Sequence, residues 1–224
     1  MRADWLVVLA HPDDETLHCG GLIAHAATRG ERVVTLTLTR GGAGRTLGVC
    51  NPDELPGVRE AELRAAARAL GVSHVELHDL SDGEVDQNEA AAEALVTAAL
   101  EKWCPRNVVC FPPNGFNGHP DHCAAHRVAV AALESHRRTG PGAAPAVWKI
   151  TDAVPYGEPP RSGYLLPEEV ERARLRPTDL VPVGTALEAK LRALGCYETQ
   201  SRSITKLLRR YPGKVITEAF QRLG

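Results

Sequence analysis

Two short clusters carry most of the side chains able to do chemistry. His11-Pro12-Asp13-Asp14-Glu15 follows the apolar run Trp5 to Ala10, and His119-Pro120-Asp121-His122 follows a second apolar run and a glycine-bearing loop. Between them they offer imidazoles and carboxylates in the mix that zinc takes in a catalytic site, where three protein ligands leave a fourth position to water. Taken alone, the first cluster reads equally as a metal or acid/base site and as a solvated turn with an acidic helix cap. The repeat of His-Pro-Asp after a second buried strand decides for the metal-dependent site.

Such clusters need a scaffold that brings them together. Trp5 to Ala10 has the continuous apolar character of a strand buried on both faces. Pro12 cannot donate to a sheet ladder, so the strand ends there. Asp13, Asp14, Glu15 and Thr16 suit the electropositive start of a helix that runs to Arg29 and stops at Gly30. Strand and helix patterns then alternate. Arg32 to Thr39, His74 to Leu80 and Asn107 to Phe111 read as strands, with Ser81-Asp82-Gly83 a closing turn. Val58 to Leu70, Asn88 to Trp103 with Asp86 as its cap, and His119 to about Arg138 read as helices. Ala146 to Val154 reads as a fifth strand and Asp179 to Val183 as a short edge strand. Helices are expected over Thr185 to Leu194 and Gln200 to Arg210, while proline-rich Tyr156 to Pro167 shows no clear periodicity. The predicted fold is one α/β domain over residues 1–224, a three-layer sandwich with a mostly parallel, Rossmann-like sheet. Open sheets of this kind keep ligands at the carboxyl ends of their strands, where both clusters sit.

Composition narrows the function. Charged residues make up 24% of the 224 and the formal net charge is -2, so nothing marks a nucleic-acid binder. No apolar run is long enough to span a bilayer. A buried strand starting at residue 5 leaves no room for a targeting segment, and a cytoplasmic location is expected. The six cysteines form no Cys-x-x-Cys pair and read as reduced thiols, although one pair could bridge. The oligomeric state is left open, and a homo-oligomer is compatible with the chain.

The motifs Ala10-His11-Pro12-Asp13-Asp14-Glu15 and His119-Pro120-Asp121-His122 resemble those of the LmbE-like, or PIG-L, metal-dependent deacetylases. Arg59 to Leu63 is similar to that family's Arg-x-x-Glu-Leu helix, with Leu70-Gly71 following. Lys190 to Leu194 is similar to its late Lys-x-x-Ala-Leu helix, ending in Tyr197-Glu198-Thr199-Gln200. The resemblance covers most of the chain. It implies hydrolysis of the N-acetyl group of an N-acetylglucosamine-type sugar or conjugate, with one zinc ion, or iron(II), as cofactor. By resemblance His11, Asp14 and His122 are the metal ligands and Asp13 is the general base. His119 is the imidazole near the scissile carbonyl and leaving amine, Asp121 orients a histidine, and Arg59 holds sugar hydroxyls. Two departures stand out. The family's Gly-Glu-x-Gly loop is here Gly41-Gly42-Ala43-Gly44, and a tyrosine two residues before His119 is here Asn117. Asn117 and Tyr197 are the candidates to cover that tyrosine's role at the substrate. Without the loop carboxylate, dependence on an inositol aglycone is not expected.

The chemistry of amides agrees with those roles. Zinc lowers the pKa of its water from ~15.7 to about 7 and polarises a carbonyl. Asp13, beside ligand Asp14, is then free to take a proton, and an imidazolium at His119 would stabilise the oxyanion or protonate the amine. The same site would serve an amidase removing a larger N-acyl group. A metal- or ligand-binding protein without turnover is a further reading, but it would need no base. Glu15 has two readings, contact with the metal or a catalytic histidine, and a simple helix cap. His126, four residues after His122, is the rival third ligand. His18, His25, Cys19 and Cys123 read as packed side chains, Gly41 to Gly44 as a substrate-side lid, and basic Lys206 to Arg210 as a solvated helix face.

Overall fold

The computed structural model describes residues 2–139, 143–152 and 159–223 of the chain. Trp5–Leu9 forms β1, in which Leu6, Val7, Val8 and Leu9 are fully enclosed. Each such side chain contributes roughly 1.5–3 kcal/mol on burial, so this strand anchors the sheet. Parallel strands β2 (Val33–Thr39) and β4 (Asn107–Cys110) flank it. Beyond them lie β3 (His74–Leu80) and β5 (Ala146–Thr151), also parallel. The last two strands, β7 (Thr217–Leu223) and the edge strand β6 (Asp179–Pro182), complete the order β3-β2-β1-β4-β5-β7-β6, with β7 antiparallel to both its neighbours. The chain leaves β1 towards one edge and returns to β4 on the other side. That switch opens a crevice beyond the carboxyl ends of β1 and β4.

Helices flank the sheet. On one side α1 (Asp14–Thr28), α2 (Leu55–Leu70) and α7 (Leu187–Leu194) pack together, and elsewhere α3 (Glu89–Trp103) packs on α5 (Pro120–Thr139). Shorter pieces are the turn α4 (Gly115–Gly118), α6 (Pro167–Arg172) and the basic helix α8 (Ser201–Arg210). Among the described residues, no helix is long and apolar enough to cross a membrane. All six cysteines are free thiols.

The α/β class and parallel core match the sequence reading, with local differences. Helix α2 starts at Leu55, earlier than Val58, because Pro56 suits a first turn. Asp86 does not cap α3. It lies in a 3₁₀ turn, Val85–Asn88, that precedes the helix. Asp121 pulls that turn inwards by accepting the Val85 N–H (3.1 Å). Strand β5 ends at Thr151, and Val154 and Tyr156 lie outside the described residues. Neither α6 nor β7 was expected.

Candidate metal centre and active site

β1 delivers His11 to the crevice and β4 leads through α4 into His122. The turn between β1 and α1 is unusual. Asp13 has φ 114°, a left-handed conformation that residues with a Cβ rarely adopt, and its side chain makes no capping bond. Two buried carboxylates hold it there. Asp14 Oδ2 accepts the His11 N–H (2.8 Å) and Glu15 Oε2 accepts the Asp13 N–H (3.2 Å). This strain frees the Asp13 carboxylate from helix capping and leaves it in the crevice.

Three donors converge. His11 Nδ1 lies 3.2 Å from His122 Nε2 and 3.6 Å from Asp14 Oδ2, and His122 Nε2 lies 3.4 Å from Asp14 Oδ1. Donors bound at 2.0–2.1 Å around a tetrahedral zinc are separated by roughly 3.3–3.4 Å. The spacing of these side chains therefore fits one small divalent ion. Their remaining ring nitrogens are committed elsewhere. His122 Nδ1 donates to Gly115 O (3.0 Å), and His11 Nε2 meets Asp121 Oδ2 (3.1 Å) and Asp82 Oδ1 (3.0 Å). Gly115, at φ 60°, has no room for a Cβ, which would sit 2.8 Å from Cys123 N. Asp121 also accepts the Gly83 N–H (2.7 Å), so it is fixed before it fixes His11. Such outer partners set the tautomer of a metal-binding imidazole. His126 lies outside this group, its Nδ1 donating to Phe111 O (2.7 Å).

Electrostatics separates the two adjacent aspartates. Burial acts to raise Asp14, but His122 and His11 outweigh it and hold the carboxyl far below its usual range. For Asp13 burial wins, with the Asp14 charge assisting and Arg59 opposing, and the carboxyl is pushed up to about 8. Arg59 Nη2 lies 3.5 Å from Asp13 Oδ1. His11 is raised well above the usual value, because bonds to Asp121, Asp14 and Asp82 overcome burial. His119 goes the other way. Burial, with His122 and His11 nearby, lowers it to about 3. Its Nδ1 accepts the Asp121 N–H (3.1 Å), so the neutral ring carries its proton on Nε2. That ring is an uncharged N–H donor at pH 7, in place of the expected imidazolium.

The other expected residues divide. Arg59 is buried beside Asp13, donating to Gly41 O (3.0 Å) and to Pro12 O, with its Nε unpartnered. Asn117 turns its Oδ1 to the His119 N–H (3.1 Å). Tyr197 is 1% exposed and its hydroxyl donates to Glu15 Oε1 (2.5 Å). Glu15 thus braces the turn and Tyr197 and is not among the potential metal donors. His18 packs on Phe116 (4.6 Å between ring centroids), and half-buried His25 reaches Pro182 O (3.0 Å). Burial keeps Cys123 protonated, its thiol pushed up to about 11, and burial likewise raises the Cys19 thiol well above its usual value.

Two residues at the site escaped the sequence reading. Asp82, in the turn after β3, is held down at about 2 because its bond to His11 outweighs burial. The one hint in the sequence is its place in a turn at the carboxyl end of a strand, which does not set it apart from other turns. Tyr164 sets its ring edge-on to His119 at 4.8 Å, and lies in a proline- and glycine-rich stretch without periodicity.

Comparison with known proteins identifies the family. Residues 6–133, more than half the chain, match the PIG-L family described as GlcNAc-PI de-N-acetylase. A 1D-myo-inositol 2-acetamido-2-deoxy-alpha-D-glucopyranoside deacetylase of Mycobacterium sp. (strain KMS) is 35% identical, over 87% of this chain and 73% of its own. Among solved structures, the N,N'-diacetylchitobiose deacetylase from Pyrococcus horikoshii has a TM-score of 0.73 at 19% identity, covering 99% of this chain and 84% of that one. The 4-carboxy-2-hydroxymuconate hydratase GalB from Pseudomonas putida scores 0.70 at 19% identity, covering 100% and 97%. At these identities the structures share a fold, and a hydratase shares it too. The family match runs through both His-Pro-Asp clusters and the sequence relative spans most of both chains: this protein belongs to the PIG-L family.

Proposed function

We propose that the protein is a metal-dependent hydrolase that removes the N-acetyl group from N-acetylglucosamine-type sugars, with His11, Asp14 and His122 holding one zinc ion. Iron(II) suits the same donors. The observation that carries this reading is Asp13, a buried carboxyl beside the three donors and not among them, with its pKa pushed up to about 8. A protein that only bound metal would have no use for it. The deacetylase named at 35% identity supports the same chemistry.

A bound divalent ion supplies an acidified water and a polarised acetyl carbonyl. Everything else is the chain's own work. Asp13 accepts a proton from the attacking water as the new C–O bond forms. It then holds that proton and releases it to the sugar nitrogen as the C–N bond breaks. The products are acetate and the free amino sugar. His119 Nε2–H donates to the carbonyl oxygen as negative charge gathers there. Asp121 holds the His11 ring, and Arg59 holds Asp13 and the Gly41 loop in one place.

The test is acetate release across a panel of N-acetyl sugars with zinc- and iron(II)-loaded protein. Acetate and amine should appear in equal amounts. Release of a larger acid from N-acylglucosamine conjugates, and no acetate from any N-acetyl sugar, would move the assignment to an amidase. Because Gly42 carries no carboxylate, N-acetylglucosamine and its inositol conjugate should be turned over comparably. A preference of about a hundredfold for the conjugate, ~2.7 kcal/mol in the transition state, would contradict that reading of the loop.

A further inference from the structure

The proposed chemistry gives no part to Tyr164, although its ring stands edge-on to His119. His119 belongs to a column of rings. Phe111, just past β4 and fully buried, stacks on His122 with 4.1 Å between centroids and 9° between planes. His119 stacks on His122 at 4.7 Å and 19°. Two rings so nearly parallel to a third, at those distances, take its opposite faces. His122 therefore covers one face of His119, and the Asp121 N–H occupies its Nδ1 edge (3.1 Å). His11 stands edge-on at 4.8 Å. Half-buried Tyr164, at 4.8 Å and 65°, closes the column at its outer end.

Tyr164 is itself held against the α4 turn. The next residue, Leu165, donates its N–H to Gly118 O (3.0 Å), and Gly118 directly precedes His119. Gly118 has φ 79°, and a Cβ there would lie 3.1 Å from Leu165 N, so the close approach of the two segments depends on glycine. Farther along, Asn114 Nδ2 donates to Val170 O (2.8 Å). Two hydrogen bonds to one turn thus fix the segment from both sides of Leu166. Within it, Tyr164 N–H donates to Arg161 O (3.2 Å), and the Arg161 guanidinium lies over the Tyr164 ring, 5.3 Å from its centroid.

We infer that Tyr164 is a positioning residue for His119: its ring stops the imidazole from swinging outwards and keeps Nε2–H aimed at the acetyl carbonyl oxygen. This rests on the deacetylase reading above. Among the described residues the Nδ1 contact is the one hydrogen bond of the His119 ring, and a ring held at one point pivots unless its sides are packed. Aim matters, because a misplacement of about 1 Å can cost about 10²-fold in rate. The contact is made by the Tyr164 ring, so phenylalanine should serve in its place. A tyrosine that bound substrate through its hydroxyl would instead fail as phenylalanine.

The experiment uses zinc-loaded protein and N-acetylglucosamine. Tyr164→Ala should lower kcat by about 10–100-fold, with KM and the zinc Kd little changed. Tyr164→Phe should restore kcat to within about threefold of the parent. The effect should vanish where there is no imidazole to position, so that adding Tyr164→Ala to His119→Ala costs less than about twofold. Equal losses with and without His119 would mean a merely structural role and overturn the inference. Tyr164→Phe as slow as Tyr164→Ala, or an unchanged kcat in Tyr164→Ala, would overturn it too. The ring gives a second readout that needs no turnover. In zinc-loaded protein with isotope-labelled histidine, the His119 ring signal in the NMR spectrum should shift or broaden in Tyr164→Ala and return in Tyr164→Phe. The same signal in all three proteins would overturn the inference. If the parent releases no acetate from any N-acetyl sugar, the deacetylase reading fails, and the ring signal still decides whether Tyr164 holds His119.

Discussion

At the scale of single residues, the centre works by making neighbours unlike. Asp13 and Asp14 are adjacent in sequence, yet one is pushed up to about 8 and the other held as a carboxylate by two imidazoles. Asp13→Asn should keep the metal and lower kcat by about 10²–10⁴-fold, whereas His11→Ala should lose the metal itself, as metal analysis and acetate release will show. The same shifts predict a pH dependence. With Asp13 raised to about 8 and His11 raised well above its usual value, both carry protons in the metal-free protein at pH 7. Metal binding favours their deprotonated forms, so it releases protons, and affinity climbs as pH rises through about 8, where Asp13 loses its proton. Calorimetry in buffers of different ionisation enthalpy should find proton release at pH 7, reduced in Asp13→Asn. An enthalpy independent of buffer would contradict it. The chemically loud residues were readable in the sequence because they cluster beside breakers such as Pro12 and Pro120. Asp82 was not, since a lone Asp-Gly after a strand looks like any turn, and its role appears only when His11 arrives from another strand.

At the scale of elements, the site is made by three strand ends. The β1–α1 turn supplies Asp13 and Asp14, the β4–α5 segment supplies His119, Asp121 and His122, and the turn after β3 supplies Asp82 and the N–H groups that fix Asp121. A fourth segment closes it. Gly41 has φ 68°, and a Cβ there would lie 2.0 Å from Arg59 Nη1. Gly41→Ala should cost about 1–2 kcal/mol in backbone strain. It should also displace the guanidinium beside Asp13, so that kcat falls more than melting alone explains. Unchanged kcat with intact metal would show that Arg59 does not position the base. The strands and helices around the motifs were legible because each is a short apolar run or a clean helical repeat. The proline-rich approach to α6 has neither signal, and Tyr164 sits against His119 only through tertiary packing.

At the scale of the whole molecule, β7 ties the late helices back to the first one, and it too was missed. Its Glu218 is buried, which breaks the alternation expected of a strand. The reason is a partner far away in sequence. Glu218 meets Lys190 Nζ of α7 at 2.6 Å, with side chains 2% and 1% exposed, and accepts the Gly21 (2.7 Å) and Leu22 (2.9 Å) N–H groups of α1. Glu218→Ala should strand a buried ammonium and cost about 3–5 kcal/mol by urea unfolding. Lys190→Met with Glu218→Leu should recover much of that, unless the two carboxylate bonds to α1 dominate. The central claim, however, concerns the metal and the amide. Its most direct measurement is acetate release from N-acetylglucosamine glycosides by chelator-stripped protein titrated with zinc or iron(II). Activity should be absent at the start, rise linearly and reach a plateau at one ion per chain. Undiminished activity in the presence of chelator, or no acetate with either ion at any loading, would contradict the account.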